Sequence, residues 1–126
     1  MSKLKGIGVD IIEIERIKLA ANKYGDRFLR KVYTDKEIAY CCRRKIYRFP
    51  ELAVRFAAKE AYSKAIGTGI AGFGRNNDGI KWTEVEIVNN KNGKPLIARK
   101  GKVLGNAHVS LSHSRDYAVA TVYVEE

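Results

Sequence analysis

The chain begins with an alternation of aliphatic and small or polar residues that is typical of a β-strand. Between Leu4 and Ile12, the side chains of Ile7, Val9 and Ile11 fall on one side, and Gly6, Gly8 and Asp10 fall on the other. A carboxylate on a strand that is otherwise apolar is costly unless it is paired or bound to a cation. Asp10 is therefore a candidate cation ligand, and the alternative is that it caps the helix that follows.

The next forty residues carry helical signals. After Glu13 the aliphatic residues recur every three to four positions, which predicts a short amphipathic helix that ends at Gly25. Thr34 and Glu37 have the spacing of a capping box, and the helix that they open is predicted to extend to about Arg44. A segment of basic and aromatic residues follows, a pattern that occurs both in nucleic-acid-binding proteins and on solvated surfaces. This basic-aromatic segment contains Arg43, Arg44, Lys45, Tyr47, Arg48 and Phe49.

The central stretch Arg55–Ala65 is rich in Ala, Glu and Lys and predicts a helix that begins after Pro50. Its small residues form a narrow face on which another backbone can lie closely; they are Ala57, Ala58, Ala61 and Ala65. Glu60 and Lys64 are four residues apart and share a face, whereas Lys59 points elsewhere. The pair is either an exposed ion pair that contributes about 0.2–0.5 kcal/mol to the helix or part of a functional site.

The glycines after this helix match the letters of a dinucleotide-binding motif, but their context is wrong. The segment Gly67–Gly72 reads GxGxxG, and that motif requires a strand before it and a helix after it. Here a helix precedes the segment and a loop follows it. We expect Gly67 to end the helix and the remaining residues to form a loop that can approach a ligand.

The C-terminal half is predicted to be β-structure. Trp82–Val88 alternates, Asn89–Gly93 has turn composition, and Lys94–Ala98 returns as the second strand of a hairpin. A second hairpin combines Ala107–His113 with Tyr117–Val124. The chain is therefore predicted to be α+β, with a mostly antiparallel sheet, an N-terminal strand, a central Ala-rich helix and C-terminal hairpins, in a single domain of residues 1–126.

The dipeptide Ser112–His113 does not form a catalytic pair of a serine hydrolase. Neighbouring residues of a strand point to opposite faces, so His113 cannot act as the base for Ser112, and the sequence has no GxSxG motif. His113 is left with two interpretations, a donor to a phosphate beside Arg115 or a structural hydrogen bond.

The charge balance favours an acidic partner. The chain has 24 Lys and Arg against 14 Asp and Glu, a net charge of +10, and residues 1–50 hold 13 basic and 6 acidic side chains, a net charge of +7. Nucleic acid, a phosphate-rich ligand, an anionic membrane and an acidic protein all fit this balance.

The cysteines and the hydropathy of the sequence indicate the cell compartment in which the protein is expected. Cys41 and Cys42 are adjacent, and a disulfide between neighbours is strained, so both are expected to be reduced. No apolar run approaches the roughly 20 residues that cross a bilayer, and an acidic residue comes too early for a secretory signal. We expect a cytoplasmic location and no membrane partner.

Five motifs occur in an order and spacing that are specific when taken together: Gly6–Asp10, Arg55–Ala65, Gly67–Gly69, Asn92–Pro95 and Ser110–Ser114. With them the chain resembles the holo-[acyl-carrier-protein] synthase family, the short bacterial branch of the 4′-phosphopantetheinyl transferases. The resemblance covers nearly the whole chain, although Leu19–Phe49 and Gly74–Asp78 lack firm anchors.

The resemblance implies transfer of the phosphopantetheine arm of coenzyme A to a serine of apo acyl carrier protein, for fatty acid synthesis. It implies that Asp10 and Glu60 bind Mg²⁺, or Mn²⁺, which suits carboxylates and phosphate oxygens as ligands. Lys64 would place its ammonium group on the leaving phosphate. The serine proton would pass either to Glu60 or to a metal-bound water.

The resemblance also implies the sites for the two substrates. Coenzyme A would be bound by Arg55, Lys64, Gly67, Gly69 and His113. The acidic carrier protein would dock on Arg16, with Lys23 and Arg27 as further contacts. The family is usually a homotrimer in which each site is shared between neighbouring subunits.

Two other functions remain open. A nucleic-acid-binding module would explain the charge and the basic-aromatic segment, but the sequence has no signature of such a module, and Asp10 and Glu60 would have no role. A different Mg²⁺-dependent phosphate enzyme would use the two acids and leave the other motifs unexplained.

Overall fold

The computed structural model describes residues 3–70 and 79–126 of the chain. The described helices and strands are β1 (Leu4–Glu13), α1 (Ile14–Tyr24), α2 (Asp26–Val32), α3 (Asp35–Cys41), β2 (Cys42–Arg43), β3 (Ile46–Tyr47), α4 (Phe49–Ile66), a 3₁₀ turn (Trp82–Glu84), β4 (Val85–Asn89), β5 (Pro95–Arg99), β6 (Lys102–Val103), β7 (Ala107–His113) and β8 (Tyr117–Glu125). This arrangement confirms the predicted α+β class, the N-terminal strand, the central helix and the C-terminal hairpins.

The N-terminal strand belongs to a three-stranded antiparallel sheet with the order β1-β8-β7. Asp10 and Leu111 both lie opposite Ala120 of the middle strand, so these three side chains share one face. Helix α4 packs across this face. A second antiparallel sheet, β4-β5-β6, contacts the first through β5 and β7.

Helix α4 lies unusually close to β1. A Cβ atom added to Gly6 would come within 1.8 Å of the carbonyl oxygen of Ala65, and one added to Gly8 within 1.8 Å of the carbonyl oxygen of Ala61. The narrow alanine face of the helix therefore rests directly on the glycines of the strand, as predicted. The space that these glycines leave beside Asp10 is occupied by the helix backbone.

Helix α4 ends where the sequence predicts, but it begins earlier than predicted. The helix begins at Phe49, so Pro50 lies inside the first turn rather than before it, a position where its missing N–H has no helical partner to lose. Gly67 ends the helix with a left-handed φ of 81° and donates its N–H to Ser63 and Lys64. Of the GxGxxG letters, Ala71 and Gly72 lie outside the described residues.

Three local predictions are wrong. The helix expected to reach Arg44 ends at Cys41, and the chain continues as the two-strand pair β2-β3. Its turn residues Arg44 and Lys45 both have positive φ angles, as a type I′ turn requires. Helix α2 was not predicted; Gly25, with a φ of 57°, redirects the chain and a second short helix begins. The residues expected to open the first hairpin strand, Trp82–Glu84, form the 3₁₀ turn instead.

A buried ion pair connects α4 with the elements around it. The Nζ atom of Lys59 donates to Glu37 Oε1 at 2.5 Å and to the carbonyl oxygens of Val32 and Trp82 at 2.6 and 3.2 Å, and both charged side chains are fully buried. Glu37 also accepts from the backbone N–H of Ile87 at 3.0 Å. Lys59 points away from Glu60, as predicted, and the structure shows that it enters the core. A buried charge of this kind is tolerated because its partners are all present.

The two cysteines are free thiols, as expected. Cys41 is fully buried, and burial raises the pKa of its thiol to about 11, so it is a poor nucleophile at neutral pH. In the described part of the chain, no helix combines the length and the apolar character that crossing a bilayer demands.

We predict that Gly8→Ala destabilises the protein by about 3 kcal/mol or more, since the new methyl group can be accommodated only by moving the backbone of α4. Denaturant unfolding of the variant measures the loss. Gly105→Ala is the matched control, because a methyl group there would meet nothing within 4 Å. Equal stability of both variants would contradict the close packing of helix on strand.

Candidate active site

Asp10 and Glu60 line the same cleft, although fifty residues separate them in the chain. Asp10 is near the end of β1, and Glu60 is midway along α4, where the helix crosses that strand. The cleft has a volume of about 410 Å³. Its lining consists of Asp10, Ile11, Ile12, Arg16, Ile17, Ala20, Phe28, Phe56 and Glu60.

Lys64 forms an ion pair with Asp10, whereas the sequence suggested an exposed pair with Glu60. Its Nζ atom lies 3.0 Å from Asp10 Oδ1 and 3.0 Å from the carbonyl oxygen of Val9. The alternative role of Asp10 as a helix cap is wrong, because the N-cap residue of α1 is Glu13. Asp10 instead stays in the strand, on the face of the sheet that α4 covers, and its carboxylate contacts Lys64 of that helix.

The electrostatics of the cleft act most clearly on Glu60. Partial burial raises the pKa of its carboxyl group, and the neighbouring charge of Asp10 raises it further, while Lys64 lowers it. Two carboxylates that repel each other beside one ammonium group form a site that an additional cation would stabilise.

The donor set fits a magnesium ion. Mg²⁺ is bound typically by one or two carboxylates, with waters and substrate phosphates as the other ligands, and the cleft offers Asp10 and Glu60. Within residues 3–70 and 79–126 no group of three or more Asp, Glu, His or Cys side chains is arranged to hold a metal. A site that took its remaining ligands from a phosphate substrate would have this composition.

Arg55 does not reach the cleft. Its side chain is 1% exposed, and its guanidinium group donates to Glu51 Oε2 at 2.9 Å and to Asn89 Oδ1 at 2.8 Å. It also lies over the ring of Tyr40, 4.4 Å from the ring centre. Nine residues of helix, about 13 Å, separate Arg55 from Lys64, so the two side chains serve different parts of the molecule.

The other residues predicted for coenzyme A lie around the C-terminal end of α4 and the end of β7. Gly67 is exposed, and Gly69 has a φ of 71° and accepts a hydrogen bond from the N–H of Ile80. His113 is exposed, lies opposite Ala118 on the sheet face that α4 covers, and has its Nδ1 atom 3.4 Å from the carbonyl oxygen of Ser114. This contact is too long to decide between the two interpretations of the histidine.

Of the three basic residues predicted to dock the carrier protein, Arg16 lines the cleft that contains Asp10 and Glu60, which is called the acidic cleft below. Lys23 lies over the ring of Tyr24 at 5.3 Å. Arg27 lines a second cleft of about 420 Å³, together with Lys31. The other residues of this second cleft are Tyr24, Phe28, Val32 and Trp82.

Two aromatic residues of the cleft were missed by sequence reasoning. Phe28 lines both clefts, and Phe56 lines the acidic cleft and stacks on Trp82 with ring centres 4.5 Å apart. Phe56 could have been found, because it is four residues before Glu60 and so lies on the same side of the helix. Phe28 offered no signal, because α2 was not recognised.

The aromatic residues near the basic segment are engaged within the protein. The Tyr40 ring is packed by the guanidinium groups of Arg48 and Arg55, at 4.8 and 4.4 Å. Tyr47 and Phe49 are partly buried against the core and against each other. Stacking platforms for bases need free aromatic faces, so this segment has the character of a structural surface.

The fold and the cleft define a small α+β protein with a paired-carboxylate site suited to a divalent cation and a phosphate ligand. Comparison with known proteins is more specific. A family model described as the 4′-phosphopantetheinyl transferase superfamily matches residues 6–122. A holo-[acyl-carrier-protein] synthase of Chloroherpeton thalassium is 44% identical over 123 residues, which cover 94% of this chain and 96% of that protein.

Solved structures agree with this result. A holo-(acyl-carrier-protein) synthase from Bacillus anthracis in complex with CoA (3′,5′-ADP) is 34% identical, with a TM-score of 0.77, and covers 100% of this chain and 99% of its own. The enzyme of Helicobacter pylori, in complex with coenzyme A, is 26% identical with a TM-score of 0.76, over 95% of this chain and 99% of its own. The chain belongs to the holo-[acyl-carrier-protein] synthase family of the 4′-phosphopantetheinyl transferase superfamily.

We predict that Asp10→Asn lowers the pKa of Glu60 in the metal-free protein, because it removes one of the two causes that raise it. Carboxyl ¹³C resonances followed against pH measure this change. A parent pKa at or below the ordinary 4.5 would contradict the electrostatics of the cleft.

The same shift has a consequence for stability. The folded state holds the Glu60 proton more tightly than the unfolded state, so the free energy of unfolding falls as pH rises from the ordinary glutamate pKa through the raised one. Glu60→Gln should therefore gain stability relative to the parent across that interval, which chemical denaturation at several pH values measures.

Proposed function

We propose that this protein transfers the 4′-phosphopantetheine group of coenzyme A to a serine of apo acyl carrier protein, giving holo carrier protein and 3′,5′-ADP. The observation that carries the proposal is the meeting of Asp10 and Glu60 in one cleft, with Lys64 beside them, in a chain of this family. We further propose that residues 1–126 act as one transferase domain, in the cytoplasm and in the service of fatty acid synthesis.

The reaction joins the serine oxygen to the β-phosphorus of coenzyme A and breaks the bond to the oxygen that leaves with 3′,5′-ADP. In our proposal Asp10 and Glu60 hold Mg²⁺, with Mn²⁺ as the alternative. These two residues would hold the ion, which would supply positive charge to neutralise the diphosphate and the charge that develops during the transfer. Lys64 adds a positive charge from the chain itself, directed at the leaving phosphate.

Glu60 is the side chain that we propose as acceptor of the serine proton. Its carboxyl group lines the cleft together with Asp10, where the serine would approach the diphosphate, and a water held by the divalent cation is the alternative acceptor. Asp10, which lines the same cleft, is proposed as a metal ligand only.

Coenzyme A is proposed to extend from the cleft along the C-terminal end of α4. Lys64, Gly67 and Gly69 are close together in sequence there, and the two glycines allow a ligand to approach the backbone. His113 and Arg55 are also proposed for coenzyme A phosphates, but at a cleft shared with a neighbouring subunit, because Arg55 lies about 13 Å from Lys64 toward the opposite end of α4. Support for His113 is its exposure, while Arg55 would need to exchange at least one of its present partners, Glu51 and Asn89.

The acidic carrier protein is proposed to dock on the basic side of α1 and α2. Arg16 reaches the acidic cleft, and Arg27 and Lys31 flank the aromatic second cleft next to it. Lys23 is exposed on the same helix as Arg16. A surface of cations around apolar side chains suits an acidic partner, because the charges steer the encounter and the apolar contacts hold the complex.

We also propose that the protein is a homotrimer with its sites shared between subunits. The face of the main sheet opposite α4 is apolar and exposed: Ile7, Val9 and Ile11 are 57%, 55% and 64% exposed. Tyr117 and Tyr123 of β8 lie on the same face. An apolar sheet face of this kind is uncommon on a monomer and is typical of a contact between subunits.

The transfer itself is tested with purified protein, coenzyme A, Mg²⁺ and an apo acyl carrier protein. Mass spectrometry should show the carrier gaining one phosphopantetheine group, with release of 3′,5′-ADP. Glu60→Gln should lower turnover by roughly 10² or more, because it removes both a metal ligand and the proposed base. Its circular dichroism should match that of the parent.

A carrier whose mass stays constant with every divalent metal would reject the transferase function. Full activity of Glu60→Gln would remove this residue from the mechanism and leave the overall reaction in place. Glu15→Gln, on the exposed side of α1, is the matched control and should retain the parent rate.

The trimer is tested with Val9→Glu. A charge in the middle of the apolar sheet face should shift the mass measured by light scattering from three chains to one, since a buried unpaired carboxylate opposes association. Val103→Glu, equally exposed on the other sheet, should leave the parent mass unchanged. A parent that is monomeric at micromolar concentration would contradict the shared-site proposal.

A further inference from the structure

The ammonium group of Lys64 neutralises the carboxylate of Asp10, which the proposed function assigns as a metal ligand. It donates to Asp10 Oδ1 and to the carbonyl oxygen of Val9, each at 3.0 Å. Lys64 belongs to α4 and Asp10 to β1, so this contact joins the two elements that form the cleft. The side chain of Lys64 is 52% exposed and that of Asp10 is 18% exposed.

The exposure of the pair determines how firmly it is held. Ion pairs that remain open to solvent contribute little to stability, and a lysine side chain has four rotatable bonds with which to reach another partner. The second hydrogen bond of the ammonium group, to the backbone carbonyl of Val9, is likewise exposed to solvent. Lys64 can therefore leave Asp10 without disturbing the packing of α4 on β1, which rests on Gly6 and Gly8.

The charges of the cleft show why the lysine is there. Without it, the carboxylates of Asp10 and Glu60 would repel each other in the same cleft, and Lys64 opposes that repulsion through its ion pair with Asp10. A divalent cation between the two acids would remove the repulsion more effectively. It would also repel the ammonium group.

We propose that Lys64 is an exchangeable counter-ion of Asp10, which a divalent cation displaces when it binds in the cleft, so that the ammonium group is released toward the phosphates of the substrate. This inference rests on the proposed function in placing a cation at Asp10 and Glu60, and it adds an order of events. One lysine serves first as a substitute for the metal and then as a partner of the phosphate.

The exchange predicts opposite effects of one substitution on two measurements. Lys64→Gln should bind Mn²⁺ several-fold more tightly than the parent when no coenzyme A is present, because no ammonium group has to be displaced. Its transferase turnover should nevertheless fall. Mn²⁺ binding is measured by electron paramagnetic resonance, from the signal of the free ion, on the full-length protein.

Two variants separate exchange from a general effect of charge. Arg16→Gln removes a positive charge from the lining of the same cleft, but no hydrogen bond to Asp10 is lost, so its Mn²⁺ affinity should change less than that of Lys64→Gln. Lys64→Arg keeps the charge and should bind Mn²⁺ close to the parent level.

A spectroscopic readout follows the displacement directly. The ε-methylene resonance of Lys64, assigned by its loss in Lys64→Gln, should shift when Mg²⁺ is added without coenzyme A. In Asp10→Asn the resonance should already lie near its metal-bound position and should move little.

The proposal is overturned if Lys64→Gln binds Mn²⁺ no more tightly than the parent, or if Arg16→Gln tightens binding equally. It is also overturned if neither protein binds Mn²⁺. In each of these cases a carrier that still gains its phosphopantetheine leaves the transferase function standing. Loss of transfer in the parent with every metal would instead reject the proposed function itself.

Discussion

The direct contact between the backbones of α4 and β1 determines where the two carboxylates of the cleft meet. Gly6 and Gly8 present no side chains to the helix, and the helix presents its alanines. Asp10 follows Gly8 on the same face of the strand, and Glu60 precedes Ala61, which rests on Gly8. Any larger residue at the glycines would move the helix away and widen the cleft between the acids. The site is thus a consequence of packing between one strand and one helix.

Helix α4 also separates its charges by their position around the axis. Lys59 and Glu60 are neighbours in sequence, yet they point about 100° apart. Lys59 enters the core, where Glu37 and two backbone carbonyls use its donors. Glu60 faces the cleft, and Lys64, one turn further, reaches Asp10. The helix is buried on most sides, so a charged residue must either be paired inside, as Lys59 is, or lie on the open side with Glu60 and Lys64. This requirement fixes the rotation of the helix about its axis.

The sequence predicted this arrangement well where the geometry depends on local pattern. The alternation around Asp10, the alanine face and the capping glycine Gly67 each have one structural meaning, and each is confirmed. The meeting of Asp10 and Glu60 in one cleft also agrees with prediction, but it came from the family resemblance, since periodicity cannot pair distant elements.

The features that were missed depend on contacts between elements. Lys64 pairs with Asp10 and not with Glu60 because strand and helix lie so close together. Sequence rules for side-chain pairs within one helix carry no information about that distance. Lys59 pairs with Glu37, which is twenty-two residues earlier in the chain. The sequence identified Glu37 only as part of a capping box, so it did not indicate this second role. Helix α2 was overlooked because a glycine that normally ends a helix here also begins the next one.

The two faces of β1 connect the proposed assembly to the proposed chemistry. Gly6, Gly8 and Asp10 face α4, while Ile7, Val9 and Ile11 face away from it and stay exposed. If a second copy covers those aliphatic side chains, as in the trimer that we propose, then β1 is packed between its own helix and a neighbouring subunit. A strand held on both faces has little freedom to shift along its axis. Assembly would then restrain the position of the Asp10 carboxylate relative to Glu60, and a small chain would obtain from its neighbours the rigidity that a metal site requires.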